Sequence, residues 1–211
     1  MNFVTIATIL ISLASQINGH GYLQNPPARN SMWRFGFNTP PNYNDNELFC
    51  GGATVMNMNN GGRCGVCGDP WHVKDQPHMD GGSYDKGIIV KTYKKGQIID
   101  LEILLTTSHM GYFEIRVGDF SKTKTSGDSI GKLNGELLEL VTGGTKFAVT
   151  EWGRFLYKYQ VRLPSNLKCE RCVLQWWYKG GNNWGCEGGK CGMGLGPQEH
   201  FVNCADIKIV A

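Results

Sequence analysis

Charge is scarce in this sequence and gathers nowhere. Only 18% of the 211 residues are charged, with 21 Lys and Arg against 18 Asp and Glu for a net charge of +3. A nucleic-acid partner would call for a basic patch or stripe, and none is visible. Beyond the N-terminus no apolar run is long enough to cross a bilayer of about 30 Å as a helix, so no membrane partner is expected. There is no G-x-S-x-G elbow and no P-loop, which removes the corresponding hydrolases and nucleotide enzymes. Asn-x-Ser/Thr acceptors are absent, and amphipathic helical periodicity is nearly so. With 41% hydrophobic and 11% aromatic residues, the chain is nevertheless too apolar for a disordered segment.

The first 19 residues, MNFVTIATILISLASQING, carry no charge. Val4 to Ala14 forms an apolar core too short to span, and Gly19 is a small residue suited to the last position before cleavage. The segment therefore reads as a signal peptide over residues 1–19, although its positive n-region is missing. A secreted, extracellular protein with a single domain over residues 20–211 follows, with His20 as its first residue. The eight cysteines agree with an oxidising compartment: Cys50, Cys64, Cys67, Cys169, Cys172, Cys186, Cys191 and Cys204 are an even set. Up to four disulfides are expected, and eight cysteines allow 105 connectivities, among which the sequence does not choose.

From His20 to about Lys86 the chain is rich in Gly, Asn and Pro and shows no sustained period. So long a loop tract is usually functional when ordered, and Cys50, Cys64 and Cys67 are placed to staple it. From Gly87 onward alternation takes over. Ile99, Leu101, Ile103 and Leu105 form one apolar face, then Phe113, Ile115 and Val117, then Phe155, Tyr157, Tyr159, Val161 and Leu163. Val173–Tyr178 and Asp206–Val210 read as two further strands. Short β-branched and aromatic strands between Gly-rich turns predict an all-β antiparallel sandwich with long disulfide-stapled loops. Trp152, Trp176, Trp177 and Trp184, in or beside strands, are expected mostly in its core.

A histidine at a chain terminus has a property no internal one shares. Its α-amine and ring Nδ1 can close on one metal ion as a chelate, and the amine's reference pKa of about 7.7–8.0 makes deprotonation cheap near neutrality. A second imidazole completes three nitrogens in a plane, a set that suits Cu(II) better than tetrahedral zinc. The candidates for that second imidazole are His72, His78, His109 and His200. His109 follows the best strand pattern and precedes Gly111, which puts it at an end of the sandwich.

His20-Gly21-Tyr22, Pro26-Pro27-Ala28-Arg29, Cys64-Gly65-Val66-Cys67-Gly68-Asp69 and Gly180-Gly181-Asn182-Asn183-Trp184-Gly185 resemble the lytic polysaccharide monooxygenases, most nearly auxiliary-activity family fifteen. The likeness runs from His20 to about Ile209. It implies an immunoglobulin- or fibronectin-III-like sandwich whose flat face holds one copper ion, cycling between Cu(II) and Cu(I). The implied reaction is oxidative cleavage of crystalline polysaccharide, chitin before cellulose, at C1 or C4. It would use O2 or H2O2 as co-substrate and an external reductant as electron donor, with the protein acting as a monomer. Carried over by residue, His20 supplies amine and Nδ1, and His109 supplies the third nitrogen. The segment Gly196–Asp206 resembles the family's C-terminal signature. Phe201 then stands at the axial copper position, where many relatives have Tyr, and Glu199 two places earlier becomes a catalytic carboxylate. A phenyl ring cannot coordinate, so Phe201 leaves no role for an axial phenol. Tyr22 and Trp33 are the candidate sugar-facing residues.

Competing readings have less support. Cys64/Cys67 and Cys169/Cys172 form two Cys-x-x-Cys pairs, but far more than the roughly 15–20 residues of a zinc ribbon lies between them. No pair of carboxylates stands out as a glycosidase couple. A non-catalytic chitin- or cellulose-binding module on the same fold is the main alternative, because fold does not fix function. A binder would have no use for a terminal brace of His20 and His109. A disulfide-stapled structural or cuticle-interaction protein is the third reading.

Overall fold

Alternation along Ile98–Ser108 puts Ile99, Leu101, Ile103 and Leu105 on one buried face, each no more than 2% exposed. In the computed structural model, which describes residues 19–211, this stretch is the centre of a three-stranded sheet. The signal-peptide reading falls, Gly19 excepted, outside the described residues. Numbered along the chain, the strands are β1 (His20–Asn25), β2 (Lys91–Lys94), β3 (Ile98–Ser108), β4 (Gly111–Asp119), β5 (Glu136–Leu137), β6 (Phe147–Val149), β7 (Gly153–Arg162), β8 (Cys169–Lys179), β9 (Trp184–Glu187), β10 (Lys190–Met193) and β11 (His200–Val210). Sheet one has the order β1-β3-β7. Sheet two runs β2-β11-β8-β4-β5, with β6 also on β4. The β9–β10 hairpin stands apart. Helix among the described residues is limited to short turns, the longest of them five residues at Val55–Asn59.

Each strand expected from alternation is present. Three features differ from that reading. The pairing is not wholly antiparallel, because β2 lies parallel to β11. The tract from His20 to Lys86 does hold a strand, since β1 pairs with β3 through His20↔Thr107 and Leu23↔Ile103. Its six residues include Gly21 and a bulge, too short and irregular to register as a period. Asp206–Val210 is only the end of the eleven-residue β11.

The two sheets enclose Leu23, Phe113, Ile115, Leu174, Trp176, Tyr178 and Phe201. Asn203 bridges them, its Oδ1 accepting the Leu23 N–H at 2.9 Å. The outer face of sheet two is also covered. Trp177 and Val202 pack against Cys50, Met56 and Cys64, and Val173 packs against Val66, Cys67, Leu133 and Cys204. Between Val173 and Trp177, the buried Gln175 amide donates to Val66 O (2.7 Å) and Gly131 O (2.9 Å) while its oxygen accepts from Leu133 N–H. The loop tract is thus a third layer with its own apolar clusters.

Two disulfides fasten that layer: Cys50–Cys64 within it and Cys67–Cys204 onto β11. Cys169–Cys172 and Cys186–Cys191 close short loops. In the chain-entropy account a bridge of sequence separation 137 restricts the unfolded chain by about 5 kcal/mol, against about 2 for one of separation 5. The second fastening is ionic. Arg29, 1% exposed, donates from Nε and Nη2 to both Asp206 oxygens (2.7 and 2.8 Å) and from Nη1 to His78 O (2.7 Å). Arg171 joins Asp206 to Asp85.

Removing one partner of a buried ion pair strands the other charge. Arg29→Leu is therefore expected to lower unfolding stability by about 3–5 kcal/mol, read as a fall in the urea midpoint. Burial works to raise the Asp85 pKa, but the Gly81 N–H and the Arg29 and Arg171 guanidiniums outweigh it and hold it below the ordinary carboxylate value. A lowered native pKa gives stability that is complete above the unfolded value of about 3.9 and is lost as pH falls through the native one. Denaturation curves should accordingly weaken on acidification below about pH 4, and less so in Arg171→Leu.

Candidate metal centre

β3 belongs to sheet one and β4 to sheet two, so the chain changes sheet across His109 and Met110. The turn is tight. Met110 has φ 55° and Gly111 φ 92°, and a Cβ on Gly111 would sit 2.1 Å from Lys179 O, so only glycine fits. The Tyr178 hydroxyl accepts the His109 N–H at 2.9 Å and donates to Met110 O at 2.8 Å. Burial pushes that phenol well above its ordinary pKa, which keeps its proton in place as a donor. Gly181 N–H donates to His109 O at 2.8 Å. The His109 backbone is thus held from both sides.

The His109 ring is buried, with Nδ1 3.1 Å from Glu199 Oε2, and Glu199 is itself only 5% exposed. Glu199 immediately precedes β11, and its carbonyl accepts from Gly180 N–H at 2.9 Å. Pairing of β1 with β3 brings His20 opposite Thr107, two residues from His109, and the Thr106 hydroxyl donates to His20 O at 3.3 Å. His20 Nε2 lies 3.1 Å from Glu47 Oε1. Gly19 lies against the same place: its N–H donates to Glu199 Oε2 at 3.3 Å, and a Cβ there would stand 2.8 Å from His109 Nδ1.

Among the described residues, no three His, Cys, Asp or Glu side chains converge as a metal cage. A brace of two imidazoles and an amine needs none. The donor chemistry fits it. An ionised carboxylate only accepts, so Glu47 on Nε2 of His20 favours the tautomer that carries its lone pair on Nδ1, while Glu199 Oε2 stands within ion-pair distance of the His109 ring. Ligating histidines characteristically rest on such partners.

The other expected residues lie as follows. Phe201 is fully buried on β11, stacked on Tyr178 (5.5 Å) and Phe49 (6.2 Å). Tyr22 is not on the surface: it points away from the core that Leu23 enters, yet it is only 8% exposed, with Arg34 5.7 Å from its ring centre. Trp33 is half-buried, donating from Nε1 to Asp45 at 3.0 Å and meeting the exposed Tyr43 edge to face. His78 is buried against Asp69 and Tyr84, and His72 is exposed. His200 faces Trp177, its pKa pushed down to about 3 by burial and by Lys179 and Lys132. None of these three joins the His20–His109 group.

Trp176 and Trp177 are core as expected, but Trp152 and Trp184 are 67% and 69% exposed. Both flank the crossover. Trp152 precedes Gly153, which pairs with Ser108, and Trp184 opens the β9–β10 hairpin three residues after the Gly181 that bonds His109. Gln198, fully buried, pins the hairpin base by donating to Asn183 O and Leu195 O. Trp184 stands on the exposed side of an isolated two-stranded ribbon, and Trp152 lies just outside β7, so neither has a second layer to cover it. Glu47 carried no signal of its own in the loop tract.

The family model for lytic polysaccharide mono-oxygenase, described as cellulose-degrading, matches residues 20–207. Among solved structures, a lytic polysaccharide monooxygenase AA15 from Thermobia domestica in the Cu(I) state is 42% identical, with a TM-score of 0.82 over 90% of this chain and 98% of that one. A chitin binding domain from Burkholderia pseudomallei, 14% identical with a TM-score of 0.41 over 92% of this chain and all of its own, is too distant to inform the comparison. No curated protein matches significantly. With the family match spanning nearly the whole described chain, and a sandwich that ends in two carboxylate-braced histidines, the chain belongs to the lytic polysaccharide monooxygenases, copper-dependent enzymes that cleave polysaccharide oxidatively.

Proposed function

We propose that the enzyme is secreted, loses residues 1–19, and holds one copper ion between the freed His20 amine, His20 Nδ1 and His109 Nε2. The observation that carries this reading is the paired support of the two imidazoles, Glu47 on one and Glu199 on the other, with the 19–20 backbone lying against the His109 ring. Bound there, copper would supply the one-electron redox chemistry by which O2, with electrons from an external reductant, or H2O2 oxidises a sugar C–H bond at C1 or C4. The substrate is crystalline polysaccharide, chitin before cellulose, and the working unit is a monomer.

The residues of the chain divide the remaining work. Glu199 accepts at Oε2 from Gly19 N–H in the uncut chain, and cleavage leaves that lone pair facing the new terminus, where it holds or hands on a proton. Its burial makes the proton costly to exchange with bulk water. Phe201, without a hydroxyl, could offer a bound copper ion no oxygen ligand and would contribute only an apolar ring backed by Tyr178 and Phe49. Trp184 and Trp152 offer exposed aromatic faces beside the crossover, suited to the apolar faces of pyranose rings, and Tyr43 offers a third in the loop tract. Support for a surface rather than a cleft comes from their exposure, since a crystal face cannot enter a pocket.

Intact-mass measurement of the secreted protein should show a chain beginning at His20. Copper titration followed by EPR should give one Cu(II) per chain, and either a retained Gly19 or His109→Ala should weaken binding by more than about 100-fold. A protein that starts elsewhere, or takes up no copper, would refute the centre.

With ascorbate and copper, soluble products from chitin and from cellulose should include oxidised oligosaccharides, more from chitin. Native sugars alone from both polymers would favour the non-catalytic binding module.

Trp184→Ala should weaken retention on the preferred crystalline polymer several-fold while copper affinity stays at the wild-type value. Removing so exposed a side chain should change stability by no more than about 0.5 kcal/mol.

A further inference from the structure

The His20 imidazole is the more exposed of the two, 22% exposed in its side chain against 5% for His109. Packing orients His109, but an exposed imidazole on the first residue of a chain has two free torsions and two tautomers. Something must select among them. The group in reach is Glu47, with Oε1 3.1 Å from His20 Nε2.

Glu47 is itself fixed, because its neighbours on either side are tied to different parts of the fold. Before it, Asp45 is fully buried, with its carboxylate on the Trp33 indole and its carbonyl accepting from Asn30 at 2.6 Å. Asn46 O accepts the Gly21 N–H at 2.9 Å, and its side chain donates to the Thr106 hydroxyl at 3.1 Å. After it, Leu48 O accepts the Val202 N–H from β11 at 3.0 Å, and Cys50 is bonded to Cys64. This segment therefore ties β1, β3 and β11 together and presents one carboxylate to His20.

We infer that Glu47 is a positioning residue for the copper centre: by accepting the Nε2 proton it sets the His20 ring in the Nδ1-donor tautomer and orientation that chelation requires. This rests on the brace proposed above. The carboxylate also makes Nδ1 a stronger donor, as outer partners of metal-bound imidazoles do.

The test compares wild type, Glu47→Gln and Glu47→Ala, all prepared with His20 as the first residue. Nitrogen-15 NMR of the metal-free proteins, above the ordinary imidazole pKa of about 6.5, reads the His20 tautomer without copper. Competition titration reads Cu(II) affinity, and a thermal melt reads folding. In wild type, His20 should be the Nε2–H tautomer. Glu47→Ala should give mixed tautomers and copper binding about 10–100-fold weaker, with an unchanged melt. Glu47→Gln, whose amide oxygen still accepts, should restore most of both. A Glu47→Ala protein with the wild-type tautomer and wild-type affinity would overturn the inference. Wild-type protein that binds no copper would instead overturn the centre itself, an outcome visible from that titration alone.

Discussion

The proposed centre depends on one turn, the passage from sheet one to sheet two through His109 and Met110. Two residues must reverse the chain and change its layer, which forces left-handed backbone at Met110 and leaves room only for glycine at 111. Such a turn costs energy and would relax without support. The Tyr178 hydroxyl supplies it by joining the two sides of the turn, accepting from His109 and donating to Met110. Tyr178 is in turn held in the core between Phe113, Trp176 and Phe201. The position of the His109 imidazole, the proposed third metal donor, is thus set by core packing, one hydroxyl removed.

The opposite side of sheet two explains why so much sequence is spent on loops. β8 and β11 are apolar on both faces, which in a two-layer sandwich would leave Trp177, Val173 and Val202 in water. The loop tract covers them without regular structure of its own, so its backbone polar groups need partners. Gln175 and Arg29 supply partners from within the interface, at Val66 O and His78 O, and Asp206 holds the Arg29 guanidinium in place. The same layer ends in the segment that presents Glu47. Anchoring the tract to β11 through Cys67–Cys204 and Arg29–Asp206 therefore stabilises the fold and fixes the rim of the site together.

What could be read from the chain alone follows from how each feature is encoded. β3, β4 and β7 each bury one face against the other sheet, so alternation announces them. The double burial of β8 was visible only as an apolar run, and the covering layer it demands was not drawn from it. β1 has too few residues for a period, yet its register is what brings His20 beside His109. Tyr22, two residues from His20 on β1, is expected at the surface but is buried, because side chains such as Arg34 that cover an outer strand face come from a loop whose path no periodicity announces. Trp152 and Trp184 were misplaced in the core for the complementary reason, since a large apolar residue beside a strand is usually covered. His20 and His109 stand out in the sequence through chemistry, because a histidine expected at a terminus and one expected at a turn have specific uses, and the fold brings the two near each other. Glu47 had no such mark: a single carboxylate among Asn, Asp and Pro residues acquires meaning only when the loop is folded.

The two carboxylate–imidazole pairs are unlike in environment, and that difference bears on their roles. Glu199 and His109 are both nearly buried, so close packing around them limits how far either side chain can move. Glu47 and His20 stand partly in water, at 43% and 22% side-chain exposure, where a pair of this kind contributes little to stability. What such a contact can supply is orientation rather than energy. In the proposed centre that is the requirement at the terminus: cleavage after Gly19 would free one side of the residue that carries two of the three proposed metal donors. The strand register holds its backbone, and Glu47 is the remaining contact able to hold its ring.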